Sequence, residues 1–115
     1  MSVSLAPLLR GSVTQSSAAD NATATATVAA IEATQHMILG IEAHYDAQVN
    51  VRKTVTVKHG STTFITFRWD FTNDMFVFAF PVALMGDSNE AVSVELEASG
   101  NGGDSGYVSI WTAAK

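Results

Sequence analysis

The chain contains no cysteine. Neither a disulfide framework nor a thiolate metal site is available, so stability has to come from packing. Proline occurs only at Pro7 and Pro81, which leaves glycine, asparagine, aspartate and serine to punctuate the chain. Cations are scarce: six Lys and Arg against eleven Asp and Glu give a net charge of −5 and a pI near 4.9. Apart from Arg52-Lys53 the basic residues are scattered, which argues against a phosphate-backbone binder, and no direct nucleic-acid partner is expected. No apolar run approaches the ~20 residues of a membrane-spanning helix. The opening MSVSLAPLLRGSV has no basic start, and Pro7 and Arg10 interrupt its apolar stretch, so neither an export signal nor a membrane partner is expected and the chain should be soluble. Catalytic motifs are missing too: no serine sits in a G-x-S-x-G context and no loop is built to cradle phosphate. The expectation is a non-enzymatic protein without a cofactor.

What is plentiful is strand-forming sequence. Thr, Val, Ile, Phe, Tyr and Trp fall in short runs separated by Gly, Asn, Asp and Ser clusters, the pattern of an antiparallel sandwich. Runs at 23–30, 36–47, 49–58, 62–71, 75–80, 91–98 and 106–112 give seven strands, or eight if the N-terminal segment adds one. A helix over 22–41 is outweighed by its threonines and its period of two. The expected fold is all-β, an antiparallel sandwich of seven or eight strands, jelly-roll-like because the cysteine pair of an immunoglobulin domain is absent. At this length one domain is expected: residues 23–115 as the sandwich, and residues 1–22, polar and small after the first few positions, as an extended N-terminal arm.

Alternation assigns the faces. In 36–47, Met37, Leu39, Ile41, Ala43 and Tyr45 read as core, and His36, Gly40, Glu42, His44 and Asp46 as outward, with Ile38 an apolar exception outside. In 49–58 the inward row is Val49, Val51, Val55 and Val57, broken by Lys53, which has to snorkel or sit at a bulge. Pro81 should end its strand, since it cannot donate to the ladder. The densest feature is TTFITFRWDFTNDMFVFAFP, with six phenylalanines and Trp69 in twenty residues. Phe64, Phe76, Phe78 and Phe80 exceed what a small sandwich should hide, so they are expected at a subunit interface of a homo-oligomer, with a trimer as the expected state.

Candidate sites are few. His36 and His44 lie about 26 Å apart along one extended strand and cannot share a metal; His59 reads as a solvated turn residue, so no metal site is assigned. Glu42, His44 and Asp46 form an outward row that could coordinate a cation or perform acid-base chemistry, but a polar row on a solvated sheet face explains it as well. The loop GNGGDSG, with Asp104, resembles half of a calcium-binding repeat that works only in tandem, so a turn is the better reading. Trp69, Tyr107 and Trp111 could form a sugar-stacking platform, the basis of an alternative function as a carbohydrate- or receptor-binding module.

The arm, the TATATVAA strand, the MILGIEAHYDA strand and the closing GYVSIWTAAK together resemble, across the whole chain, the capsid decoration or cement proteins of tailed bacteriophages. The resemblance implies a structural protein made in the host cytoplasm that sits on the outer surface of the virion capsid, bound to the major capsid protein as a homo-oligomer and bridging neighbouring subunits. Arg10 and its neighbours Leu5, Leu8 and Leu9 on the arm would then contact the capsid.

Overall fold

In the computed structural model, which describes residues 11–47, 49–72 and 75–115, the β-branched and aromatic runs become strands, and no helix occurs among the described residues. The strands are β1 (Ser12–Gln15), β2 (Ala19–Asp20), β3 (Ala24–Val28), β4 (His36–Tyr45), β5 (Arg52–His59), β6 (Thr62–Asp70), β7 (Phe76–Met85), β8 (Val92–Leu96) and β9 (Ser105–Ala114). They form two antiparallel sheets. Sheet A runs β1-β9-β4-β7 with β2 also on β9, and sheet B runs β3-β8-β5-β6. With β1 and β2 taken as two pieces of one broken edge strand, first pairs with last and second with seventh, the order of an eight-stranded jelly roll. Between the sheets lie Ile38, Ile41, Val55, Val57, Val92, Val94, Leu96, Val108 and Ile110, all without exposed surface. Each contributes on the order of 1.5–3 kcal/mol of burial.

Four expectations about local structure change. First, residues 12–15 and 19–20 of the expected arm are strands paired to β9 from Ser12↔Thr112 to Asp20↔Ser105, because β9 would otherwise be an open edge. The arm residues Leu5, Leu8, Leu9 and Arg10 lie outside the described residues. Second, β4 carries a bulge. Ile38 faces Thr112 and Gly40 faces Trp111, so Leu39 is an extra residue. A bulge reverses the phase of alternation on one side of it, so Ile38 and His36 are buried in the core while Met37 is on the outer side. The His36 ring is satisfied there by the Ala29 carbonyl, 2.9 Å from Nε2.

Third, β7 continues through Pro81 to Met85. It is an edge strand, and its register with β4 jumps from Ala79↔Gly40 to Leu84↔Ile38. Pro81 therefore falls where no ladder bond is required of it. Fourth, the phenylalanines find cover within the chain. β6 and β7 are the last strands of opposite sheets, and their aromatic rows meet across the open side of the sandwich. The Phe67 ring lies 5.1 Å from those of Phe76 and Phe78 and 6.4 Å from Phe80. Phe71, Phe76 and Phe80 are buried, and Phe64, Phe67 and Phe78 pack partly against the core, so Phe76 and Phe80 are not available to a subunit interface. Phe64 itself is the extra residue of a second bulge, between Ile65↔Val57 and Thr63↔Lys58.

Candidate functional site

The two outer faces of the sandwich differ in chemistry. Sheet B presents Thr25, Thr27, Thr54, Thr56, Lys58, Thr66, Arg68, Ser93 and Glu95 by register. Two of its lysines are paired: Lys58 Nζ lies 3.1 Å from Glu95, and Lys53, from the inner row, reaches past the sheet edge to Glu97 at 3.7 Å. That is an ordinary solvated face.

Sheet A presents something else. Across its outer side, one register row is Val13, Trp111, Gly40 and Ala79, the next is Gln15, Ser109, Glu42 and Val77, and a third pairs Tyr107 with His44. Trp111 thus has Gly40 on its β4 side, with Ala79 beyond, and Val13 on its β1 side, and Tyr107 stands four residues away, about 13 Å along the strand. The small residues Gly40, Ala79 and Ser109 floor a shallow trough with Trp111 at one end and Tyr107 at the other. Tyr107 stacks on His44 with centroids 5.0 Å apart and planes within 9°, which fixes both rings as one wall. Val13 and Val77 flank the trough and are 48% and 45% exposed.

In the middle row sits Glu42, whose side chain is only 10% exposed although it belongs to the outer face. Its carboxylate oxygens are held by His44 Nδ1 at 2.5 Å and by the Ser109 hydroxyl at 3.4 Å. A carboxylate offers about four lone-pair sites, so these two contacts leave acceptor capacity facing the trough. Aromatic end walls, a small-residue floor and a fixed acceptor can stack a flat apolar ring face and hydrogen-bond its hydroxyls.

The sequence-derived candidates are scattered. Tyr107 and Trp111 share this face, but Trp69 does not. It lies on the inner row of β6 opposite Lys53, 39% exposed, with its ring 5.3 Å from Phe76. The three-residue aromatic platform is therefore divided between two sites. Of the outward row Glu42, His44 and Asp46, the first two stay together, while Asp46 turns at the strand end to accept the Ser105 amide at 2.8 Å. Asp104 sits in a loop that is tied down by backbone bonds: Gly103 N donates to Asp20 at 2.7 Å, Gly100 N to Asn21 at 2.9 Å, and the Ser99 hydroxyl to the Asp104 carbonyl at 2.8 Å.

His59 is not a solvated turn residue. Its ring packs 4.1 Å from that of Phe64 and its Nδ1 lies 2.6 Å from Glu90. With Asp87 these two bring their donor atoms within 4.8 Å of one another, a geometry that could hold a cation. The His59 hydrogen bond, joined by the Asp87 amide, holds the Glu90 carboxyl below its ordinary range, so the trio is also satisfied as a hydrogen-bonded brace between β5 and the 86–90 loop.

No protein-family model and no curated protein matches the chain. Among solved structures it is similar to the crystal structure of the CBM36-1 domain of a multidomain xylanase from the hindgut metagenome of Trinervitermes trinervoides. The TM-score is 0.49 at 13% identity, over 88% of this chain and 96% of that one. Nothing about a ligand follows from a likeness at that level.

Sequence reasoning missed the role of Glu42 and Ser109. Both alternating patterns, Glu42-x-His44 and Tyr107-x-Ser109-x-Trp111, are visible in the chain. What could not be seen is that β4 and β9 are neighbours, since Ser109 and Glu42 are 67 residues apart in sequence.

Proposed function

We propose that the protein is a non-enzymatic binding module that holds a carbohydrate on the outer face of sheet A. The observation that carries this reading is the buried carboxylate of Glu42 in a trough whose ends are Trp111 and Tyr107. An outer-face glutamate with no such role would extend into water, where its charge is best solvated. Here it is held nine-tenths buried by two hydrogen bonds, an arrangement that orients an acceptor for a ligand. Jelly rolls serve as lectin domains as well as capsid domains, so the fold is compatible with the reading without implying it.

A glycan array probed with the purified protein tests it. An aromatic stacking contact contributes roughly 0.5–1.5 kcal/mol, so Trp111→Ala should weaken retention about two- to tenfold. Tyr107→Ala should act in the same direction, and Trp69→Ala should leave retention unchanged. Failure to retain any glycan, or retention indifferent to Trp111→Ala, would refute the reading.

The second reading is the capsid-bridging role expected from the resemblance to decoration proteins. One observation favours it: the open side between β6 and β7 exposes Ile65 and Trp69, each 39%, above an apolar groove of about 700 Å³ lined by Phe67, Trp69, Phe76 and Phe78. Exposed apolar surface of that kind suits a protein contact. In this reading sedimentation should show a homo-oligomer that Trp69→Glu dissociates. A monomer with unchanged sedimentation in both forms would remove the homo-oligomer from it.

A further inference from the structure

We propose that the trough on sheet A selects uncharged oligosaccharides and rejects acidic ones, with Glu42 as the residue that sets this choice. The inference rests on the carbohydrate reading above and adds the charge class of the ligand. Three features carry it. The trough holds a carboxylate and no lysine or arginine: among the described residues Arg52, Lys53, Lys58 and Arg68 all belong to sheet B, Lys115 lies four residues past Trp111, and the one basic group in the trough, the His44 imidazole, is already engaged by Glu42. The whole chain adds a net charge of −5. A uronic acid, sialic acid or sulfate group seated between Trp111 and Tyr107 would therefore meet a like charge in a partly desolvated site, with no arginine or lysine beside it to offset the repulsion.

The second feature is that Glu42 is held in place. His44 Nδ1 and the Ser109 hydroxyl hold its two oxygens, and His44 is itself fixed by its stack on Tyr107. A charged ligand could relieve the clash by rotating the carboxylate into solvent only by breaking the His44 contact. The third feature is what the carboxylate offers to a neutral sugar. An ionised carboxylate accepts hydrogen bonds only, and it accepts them strongly. Ring hydroxyls are donors that fit its free lone pairs, while the aliphatic ring face stacks on Trp111. A ligand that presents a carboxylate or sulfate at that place has acceptors where donors are needed, so it loses the bond and meets the repulsion together.

The test uses the whole protein and matched ligands: neutral oligosaccharides, and the same backbones carrying uronic acid, sialic acid or sulfate, compared on an array and by titration calorimetry. Wild-type protein should bind the neutral member at least tenfold more tightly than its acidic counterpart. Glu42→Gln, which keeps the shape and one acceptor oxygen but replaces the other with an amide donor and removes the charge, should weaken the neutral ligand and shrink the neutral-to-acidic ratio several-fold. Circular dichroism and a thermal melt establish that the variant folds, and the wild-type ratio stands as a test without it. Acidic ligands bound as well as neutral ones, in a manner that Trp111→Ala still abolishes, would overturn charge selection and leave the carbohydrate reading intact. An unchanged ratio in folded Glu42→Gln would likewise overturn the role of Glu42. Absence of any glycan binding would remove the carbohydrate reading, and the selection with it.

Discussion

Replacing Ile38 with alanine should destabilise the protein far more than replacing its neighbour Met37, and the order of the two effects tests the bulge at Leu39. An unbroken alternation through β4 puts Met37 in the core and Ile38 outside. The structure puts Ile38 in the core with no exposed surface, opposite Thr112 and Leu84, and Met37 outside. Ile38→Ala removes three carbons; at roughly 0.8 kcal/mol per buried carbon the transfer loss is about 2.4 kcal/mol. The cavity left behind adds to this, because β4 is held by ladders on both sides and cannot collapse, for a total of about 3–4 kcal/mol. For a domain of this size that is a fall in Tm of roughly 12–16 °C. Met37→Ala, from a half-buried outer position, should cost about 1 kcal/mol or less. Urea unfolding of both variants, with slopes compared to confirm two-state behaviour, measures the difference. Should total stability be too small to tolerate Ile38→Ala, Ile38→Val, expected at about 1 kcal/mol, keeps the comparison readable. A larger loss for Met37→Ala than for Ile38→Ala would mean that β4 has no bulge and that its faces are reversed before Gly40.

Other consequences can be measured in the same way. The Glu90 carboxyl is held below its ordinary value of 4.5 mainly by the His59 hydrogen bond; a depressed carboxylate stabilises the fold above that value and loses the contribution as pH falls through its folded pKa. The urea midpoint should therefore decline on acidification below about pH 4.5, and Glu90→Gln should flatten part of that decline; a variant with an acid limb identical to wild type would refute the assignment. Gly60 has φ +55 in the two-residue turn from β5 to β6, and a Cβ there would stand 2.7 Å from Glu90 Oε2. Gly60→Ala should accordingly cost about 1–2 kcal/mol through the left-handed backbone alone, read as a fall in the denaturation midpoint; an unchanged midpoint would show that the turn relaxes.

Much of the fold was legible from alternation. Threonines and alanines alternate in TATATV, and Ala24 and Ala26 are the buried set, against β8. Val55 and Val57, Val92 and Val94, and Val108 and Ile110 obey the same rule, and the snorkelling of Lys53 past the inner row ends at Glu97. The errors cluster where an added residue reverses the phase. Gly40 marks the first bulge, as a glycine inside a strand often does, but it does not say which neighbour is the extra residue, and no glycine marks the one at Phe64. Pro81 misled for a related reason: proline stops a central strand, and no local feature says that β7 is at an edge. The phenylalanine surplus was misjudged because a count of large side chains against one sheet's inner face omits the row on the opposite sheet that covers them.

The candidate site was half legible for a reason that belongs to antiparallel jelly rolls in general. Each outer-face pattern is a local property of one strand, and a strand with Tyr, Ser and Trp at alternate positions is consistent with solvent, a subunit or a ligand. Only the neighbour decides among these. Against β4, the row beside Trp111 is Gly40 and Ala79, which leaves no bulky side chain on that side of the indole, and the row beside Ser109 is Glu42, which puts an acceptor between the two aromatics. Had β9 paired with β5, the same three residues would have faced Thr and Lys side chains on a filled, ordinary surface. The trough is thus a product of topology, in which the pairing of last strand with third places Gly40 beside Trp111 and Glu42 beside Ser109.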